Sequence, residues 1–246
     1  MNKLGLDLST TESSVKLLVW DEQKPNWENR RFWEVLCFLG WQMIEPRATK
    51  SNSNRGDRLR TMRTTNLTVF VALLRGVNVG GKNMISMSSL KESFEEMGFS
   101  GVVTYINSGN IMFKSGEADA RKLERKIEQM LSRDYELDLK VVVRSLSEME
   151  KLVQSIPRDW RAESDWRYNV IFLGHSIDSE ELLAEIEFKK DIEQVVYRPG
   201  ALLWSVLGSG VTRTNWVKLP SRKIYKDMTV RNLNTTRKLY ELMKKL

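Results

Sequence analysis

From Leu67 onward, extended and helical patterns follow one another in an order that occurs twice, and this order constrains the fold more than any other feature of the chain. Each round contains a strand, a helix, two strands, a helix and a strand. Apolar runs predict strands at 67–74, 102–106, 111–114, 139–144, 168–173, 193–197, 201–207 and 229–231. Helical spacing of apolar residues predicts helices at 86–97, 118–134, 146–155, 179–187, 216–225 and 235–243.

This order is that of a split βαβ unit, in which four strands form one antiparallel sheet backed by helices. The sequence therefore predicts an α+β fold of two ferredoxin-like (βαββαβ) subdomains with antiparallel sheets. The first subdomain is predicted at 67–144, and a linker helix plus the second subdomain at 145–246. The two halves share no obvious residue identity, so this prediction of a duplication depends on element order alone.

The first 66 residues differ from the rest of the chain. Residues 47–66 are polar and nearly free of apolar side chains, which is typical of a disordered linker. Residues 4–22 resemble the first hairpin of the carbohydrate kinases related to actin, but the rest of the chain is too short for a kinase of that architecture. We therefore predict that 1–66 is a largely disordered N-terminal extension, or that the natural protein begins near Met62.

Composition narrows the classes of function. Cys37 and His175 are the single cysteine and the single histidine in 246 residues, which argues against disulfides and against metal centres or catalytic triads built on these residue types. The longest apolar runs, 69–74 and 35–39, are far shorter than the ~20 residues that span a bilayer. We therefore predict a cytoplasmic protein with no membrane partner, no cofactor and no metal.

The positive charge is concentrated at the end of the chain. Residues 67–210 carry 18 Lys+Arg and 22 Asp+Glu, a net −4, whereas residues 211–246 carry 10 and 2, a net +8. Such a basic segment predicts an anionic ligand or a nucleic acid as partner. A solvated surface helix is the alternative, because helix ends also favour Lys and Arg.

Three polar motifs stand out at 71–83, 104–110 and 229–235. They read Val-Ala-Leu-Leu-Arg-Gly-Val-Asn-Val-Gly-Gly-Lys-Asn, Thr-Tyr-Ile-Asn-Ser-Gly-Asn and Thr-Val-Arg-Asn-Leu-Asn-Thr. Together they resemble the bacterial domain-of-unknown-function family numbered 1697, over nearly all of 67–246. The third motif departs from the family pattern, because Leu233 stands where a Trp is expected. The resemblance implies two similar ferredoxin-like subdomains and no established activity, cofactor or catalytic residue.

The first motif also contains G-x-x-x-x-G-K at 76–82, the pattern of a phosphate-binding P-loop. In a P-loop the next residue is Ser or Thr, which holds magnesium, and a helix begins at the lysine. Here Asn83 follows, and the best helix caps are Ser86 and Ser88. The sequence therefore argues against a P-loop NTPase, although backbone N–H groups of a glycine loop beside Arg75 can still hold an anion.

Arg and Asn in these loops are the candidate ligand contacts, for a phosphate, a carboxylate or a nucleobase. The alternative is structural, since glycines permit sharp turns and Asn satisfies turns and helix caps. No catalytic residue is predicted, because asparagine is neither a nucleophile nor a general base near neutral pH. The predicted ligand-binding residues are Arg75, Asn78, Gly80, Gly81, Lys82, Asn107, Ser108, Asn110, Arg231, Asn232 and Asn234.

Three functions remain open from the sequence. The leading hypothesis is a binding module for an anionic ligand such as a nucleotide or nucleic acid, since a ferredoxin-like sheet is also the platform of RNA-recognition domains. Tyr105 and Phe113 are the nearest candidates for the aromatic pair that such a sheet face needs. The alternatives are a small-molecule enzyme with a polar site between the subdomains, containing Arg75 and Arg231, and a structural or oligomeric assembly protein.

Overall fold

The computed structural model describes residues 67–81, 83–160, 165–214, 219 and 221–246. The predicted N-terminal extension, 1–66, lies outside these residues. The strands are β1 Thr68–Leu74, β2 Ser100–Thr104, β3 Asn110–Ser115, β4 Val141–Ser145, β5 Trp166–Leu173, β6 Glu193–Arg198, β7 Ala201–Leu207 and β8 Met228–Asn232. The α-helices are α1 Met87–Glu96, α2 Ala120–Tyr135, α3 Leu146–Gln154, α4 Leu182–Glu185 and α5 Leu233–Met243, and 3₁₀ helices span Gly208–Arg213 and Lys223–Asp227.

The strands form two four-stranded sheets with equivalent orders, β2-β3-β1-β4 and β6-β7-β5-β8. Every strand pair is antiparallel. The predicted α+β class with antiparallel sheets is therefore confirmed. The glycine loop after β1 also fails the P-loop geometry, because the next helix begins at Met87 and not at Lys82.

The first half folds as its sequence pattern predicts. Helix α2 begins after Asp119, whose carboxylate accepts the backbone N–H groups of Arg121 and Lys122. It ends at Glu136, which adopts the left-handed conformation common at helix C-termini. The helix buries a stripe of apolar side chains against the outer face of the first sheet, together with α1. The stripe contains Leu123, Ile127, Met130 and Leu131.

The inner faces of the two sheets share one core with α3 and α5. Val71, Leu73 and Met112 of the first sheet pack in the same cluster as Val170 and Phe172 of the second. The two helices that follow β4 and β8 also contribute buried side chains to this cluster. These are Met149, Leu152, Leu233, Leu239 and Met243. The halves are therefore joined by a common hydrophobic core as well as by the chain.

The second half departs from the predicted helices. The helix predicted at 179–187 is reduced to the single turn of α4. The segment predicted as a helix at 216–225 overlaps the 3₁₀ helix Lys223–Asp227 only at its end, and 215–218 and 220 lie outside the described residues. Apolar spacing over so short a stretch does not distinguish an α-helix from 3₁₀ turns. The outer face of this sheet is still covered, and Trp204 is fully buried there.

Strand register shows that the halves are equivalent residue by residue. In the first sheet Leu74 pairs with Val141 and Val71 pairs with Arg144. In the second, Leu173 pairs with Met228 and Val170 pairs with Arg231. This alignment matches Val-Arg-Ser-Leu at 143–146 to Val-Arg-Asn-Leu at 230–233, an identity at three of four positions that becomes visible once the strands are aligned.

Among the helices of the described residues, none combines the length and the apolar character that a membrane-spanning helix needs.

Candidate functional site

Arg231 is a buried arginine that reaches from the second half into the first. It lies on β8 and is 7% exposed. Its Nη2 donates to the backbone carbonyls of Leu74, Ser108 and Gly109, at 2.9, 3.0 and 3.3 Å. Because a buried guanidinium is costly unless its N–H groups are hydrogen-bonded, these carbonyls are what makes its burial possible. The third motif therefore meets the end of β1 and the β2–β3 hairpin in space.

Asn110 completes this contact from the side of the first half. Its side chain is fully buried, and its Oδ1 accepts a hydrogen bond from Nε of Arg231. Its Nδ2 donates to the Tyr105 carbonyl and to Oγ of Ser108, both at 3.0 Å. Both ends of the amide are thus engaged within the protein. Asn110 positions Arg231 and the hairpin.

Asn78 ties the glycine loop to the same hairpin. Its Nδ2 donates to the carbonyls of Ile85 and Asn107, at 2.9 and 3.0 Å, and its Oδ1 accepts the Ile85 N–H at 2.8 Å. The loop turns through left-handed positions at Gly80 and Gly81, with φ of 60° and 71°. Glycine adopts such angles without steric cost, so these residues shape the turn. Lys82 lies outside the described residues.

The other two candidates of the third motif do not join this contact. Asn232 is the N-cap of α5, where its Oδ1 accepts the Thr235 N–H at 2.7 Å. Asn234 is exposed on that helix, one position past Leu233. The structure therefore brings residues of all three motifs into contact, and this contact joins the two halves. Asn234 lies outside it.

Arg144 forms the same kind of joint in the opposite direction. It is 3% exposed on β4. Its Nη2 donates to the carbonyls of Leu173 and Gly200, the residues equivalent to Leu74 and Gly109. The backbone approaches so closely that a Cβ on Gly200 would lie 2.9 Å from Nε of Arg144. Sequence reasoning missed Arg144, although the Val-Arg-x-Leu repeat at 143–146 and 230–233 carried the signal.

We call the contacts of Arg231 the first junction and those of Arg144 the second junction. At the edge of the first junction, Arg75 lies with its guanidinium carbon 4.7 Å from the centre of the Tyr225 ring. Tyr225 belongs to the 3₁₀ helix Lys223–Asp227, in which Lys223 and Lys226 are exposed. The stacked arginine thus joins the glycine loop to the basic segment near the C-terminus. We call Arg75, Arg222, Lys223 and Lys226 the basic surface.

The sheets themselves offer no exposed aromatic pair at the predicted positions. Phe113 is fully buried under α1 and α2, and Tyr105 is half-buried against the central core. Both faces of the first sheet are covered, one by α1 and α2 and the other by the second half. The described residues therefore do not present the open sheet face on which RNA-recognition domains stack bases.

Comparisons with known proteins bear on the family and on the fold. The model of a family described as "Protein of unknown function (DUF1697)" matches residues 67–204, which confirms the resemblance found in the motifs. The structure of the conserved bacterial protein SP0830 from Streptococcus pneumoniae is similar, with 27% sequence identity and a TM-score of 0.65. The match covers 72% of this chain and 99% of that one. Among curated proteins there is no match.

Proposed function

Because the chain belongs to the DUF1697 family of proteins of unknown function, its function has to be inferred from the site, and we propose that it binds an anionic ligand, a nucleotide or a nucleic acid, on the basic surface. The observation that carries this proposal is the contact of Arg75 with Tyr225. It places two features that are far apart in sequence, the glycine loop and the basic segment, side by side.

Charge supports this assignment. Residues 211–246 carry a net +8, from 10 Lys+Arg and 2 Asp+Glu. Within the basic surface, Lys223 and Lys226 are exposed, whereas Arg222 donates to the Glu185 carbonyl at 2.6 Å. Exposed lysines beside an aromatic-stacked arginine attract and hold phosphate groups, and they do so more strongly at low salt.

The glycine loop supports it as well. Five of its residues adopt positive φ, which turns the backbone sharply beside Arg75; they are Gly76, Asn78, Gly80, Gly81 and Asn83. Turns of this kind orient N–H groups outward and form concave sites for anions. Met84 is 69% exposed just beyond the loop and offers an apolar contact to a base. The ligand is therefore held by loops at the junction rather than on a sheet face.

Arg231, Asn110 and Asn78 are not part of the proposed ligand contact. Their hydrogen bonds go to protein groups, and they position the loop and the hairpin that carry the basic surface. The motifs therefore contribute indirectly, by holding Arg75 beside the second half.

Fluorescence anisotropy with a labelled single-stranded RNA, and with a labelled nucleotide, tests the proposal over a salt series. The double variant Lys223→Ala/Lys226→Ala is compared with Lys244→Ala/Lys245→Ala, which removes two charges beyond α5. For RNA, we expect the first variant to lower the slope of log K against log salt by about 1.4, since each lost phosphate contact removes about 0.7. Absence of binding of both probes at low salt, or equal losses in the two variants, would contradict it.

We further infer that each half is a ferredoxin-like unit, with boundaries at 67–144 and 145–246. The strand order of each sheet and the equivalent registers support this. In the second half the helical crossovers are shortened to α4 and 3₁₀ turns, which is the main departure from such a unit. A crystal structure of the full chain in which either sheet has another strand order would contradict it.

A further inference from the structure

The second junction carries a pair of titratable side chains that the proposed function does not use. His175 follows β5 in the second half, and Glu124 lies on α2 in the first. Nε2 of His175 is 3.6 Å from Oε1 of Glu124, and the two side chains are 24% and 13% exposed. Nε2 is buried without a hydrogen-bond partner within the described part of the chain. The two halves thus meet at a histidine and a carboxyl group.

The groups packed around this pair have other contacts. On α2 itself, Arg121 is exposed, and Glu128 accepts the Val141 N–H at 3.2 Å. From β4, Arg144 donates to backbone carbonyls of the second half, and from α3, Glu148 forms the capping box of its helix.

From the loop after β5, Asp178 accepts the Gly200 N–H at 2.8 Å and the Tyr197 hydroxyl at 3.1 Å. Within the described residues, none of these neighbours donates to Nε2 of His175, and Glu124 is the group that faces it.

Burial sets the protonation of the pair. Desolvation raises the pKa of Glu124 from 4.5 to about 7, against the opposing effects of the Val143 N–H, which Oε1 accepts at 2.9 Å, and of Arg144. Desolvation also lowers the pKa of His175, and Arg144 and Arg121 add to that effect. Below about pH 7, therefore, a protonated carboxyl group faces an imidazole whose lowered pKa favours its neutral form. A protonated carboxyl group can donate to a neutral imidazole nitrogen.

We propose that Glu124 and His175 form a proton-operated joint between the two halves. When Glu124 is protonated, its hydroxyl donates to Nε2 of His175 and the second junction is closed. When Glu124 ionises, the carboxylate needs water, and local opening of the junction supplies it. This inference goes beyond the anion-binding proposal and does not depend on it, because the basic surface lies at the first junction.

The sign of the effect follows from linkage. The folded state keeps a proton on Glu124 that the opened state releases above pH 4.5. The stability contributed by this proton is therefore complete below pH 4.5 and is lost as the pH rises toward about 7. His175 acts in the other direction, because its lowered pKa costs stability as the pH falls below 6.5. The junction is therefore expected to loosen as the pH rises from 4.5 toward about 7.

Amide hydrogen exchange, measured by NMR on the full chain between pH 5 and 8, tests the joint. The Leu173 N–H donates to Gly200 at the second junction, and the equivalent Leu74 N–H donates to Gly109 at the first. We expect the protection factor of Leu173 to fall by about tenfold to 70-fold across this range, the upper value following from a pKa of 4.5 in the opened state and about 7 in the closed state. The protection factor of Leu74 should change by less than about threefold.

Two variants on the same helix sharpen the test. Glu124→Gln mimics the protonated carboxyl group and should remove the pH dependence at Leu173. Glu128→Gln is the control, because Glu128 also accepts a β4 backbone N–H but faces Lys140, and it should retain the dependence. Equal pH dependence at Leu173 and Leu74 overturns the proposal. If Glu124→Gln does not fold, the ¹³C titration of the Glu124 carboxyl in the wild-type protein decides: a midpoint near 4.5 overturns the joint.

Discussion

The two junctions share a backbone frame and differ in the side chains around it. In each, a buried arginine on the last strand of one sheet donates to the carbonyls of a strand end and a hairpin of the other. At the first junction the surroundings are amides and cations, with Asn110 on Arg231 and Arg75 on Tyr225. At the second they are an acid and a histidine.

The difference is clearest at one equivalent position. Asn110 pairs with Leu73 on β1, and the matching pair in the second half is Ala201 with Phe172 on β5. The first arginine therefore has an amide partner on the hairpin, whereas the second has the close approach of Gly200 instead. The arginine–carbonyl contacts are common to both junctions, whereas the side chains around them differ in chemical type.

The largest effect is expected from removing either arginine. Arg231→Met removes the Arg231 donor from the Leu74 and Ser108 carbonyls and from Oδ1 of Asn110, while the Gly109 carbonyl keeps the Leu74 N–H, and should lower the free energy of unfolding by about 3–5 kcal/mol. Arg144→Met should cost a similar amount. Urea denaturation measures both. A loss of less than about 1 kcal/mol for one of them would break the equivalence of the junctions.

The next effect concerns the hairpin glycines. Gly109→Ala places a Cβ 2.7 Å from Cβ of Leu74, and Gly200→Ala places one 2.9 Å from Arg144, both at positive φ. We expect each to cost about 2–4 kcal/mol, the sum of a left-handed backbone penalty and a clash. Gly81→Ala is the control, since its φ is also positive but nothing lies within 4 Å, and it should cost about 1 kcal/mol. Equal losses at all three positions would show that close approach is unimportant.

A smaller effect separates the two asparagines of the third motif. Asn232→Ala removes the N-cap of α5 and should cost about 1 kcal/mol. Asn234→Ala changes an exposed side chain on the same helix and should stay within about 0.5 kcal/mol. Thermal unfolding of the two variants side by side measures the difference. A larger loss of stability for Asn234→Ala than for Asn232→Ala would contradict this assignment of the two side chains.

The fold was largely predictable because its signals are local. Apolar spacing in α2 and the strand runs around β1 and β3 identify the elements within a few residues, and their order predicts the antiparallel sheets. The short helices of the second half were not predictable, because a turn of apolar residues does not distinguish α from 3₁₀ geometry.

The residues of the candidate site could be identified from the sequence, but their contacts between the two halves could not. The sequence identified Arg231 and Asn110 as unusual, yet their contacts join residues 121 and 157 positions apart, and no local pattern reveals such pairs. The repeat at 143–146 and 230–233 was visible in the sequence, but three identities in four residues acquire meaning only once the strand register aligns them. His175 and Glu124 gave no sequence signal, since burial alone sets their chemistry.

The central claim is that the motif residues hold the two halves together, and a double-mutant cycle between Arg231→Lys and Asn110→Ala tests it most directly. Lysine lacks the Nε–H that Asn110 accepts, so the two substitutions remove the same hydrogen bond. We expect a coupling energy of about 1–3 kcal/mol between Arg231→Lys and Asn110→Ala, and about zero between Arg144→Lys and Asn110→Ala. Independent, additive losses for Arg231 and Asn110 would contradict it.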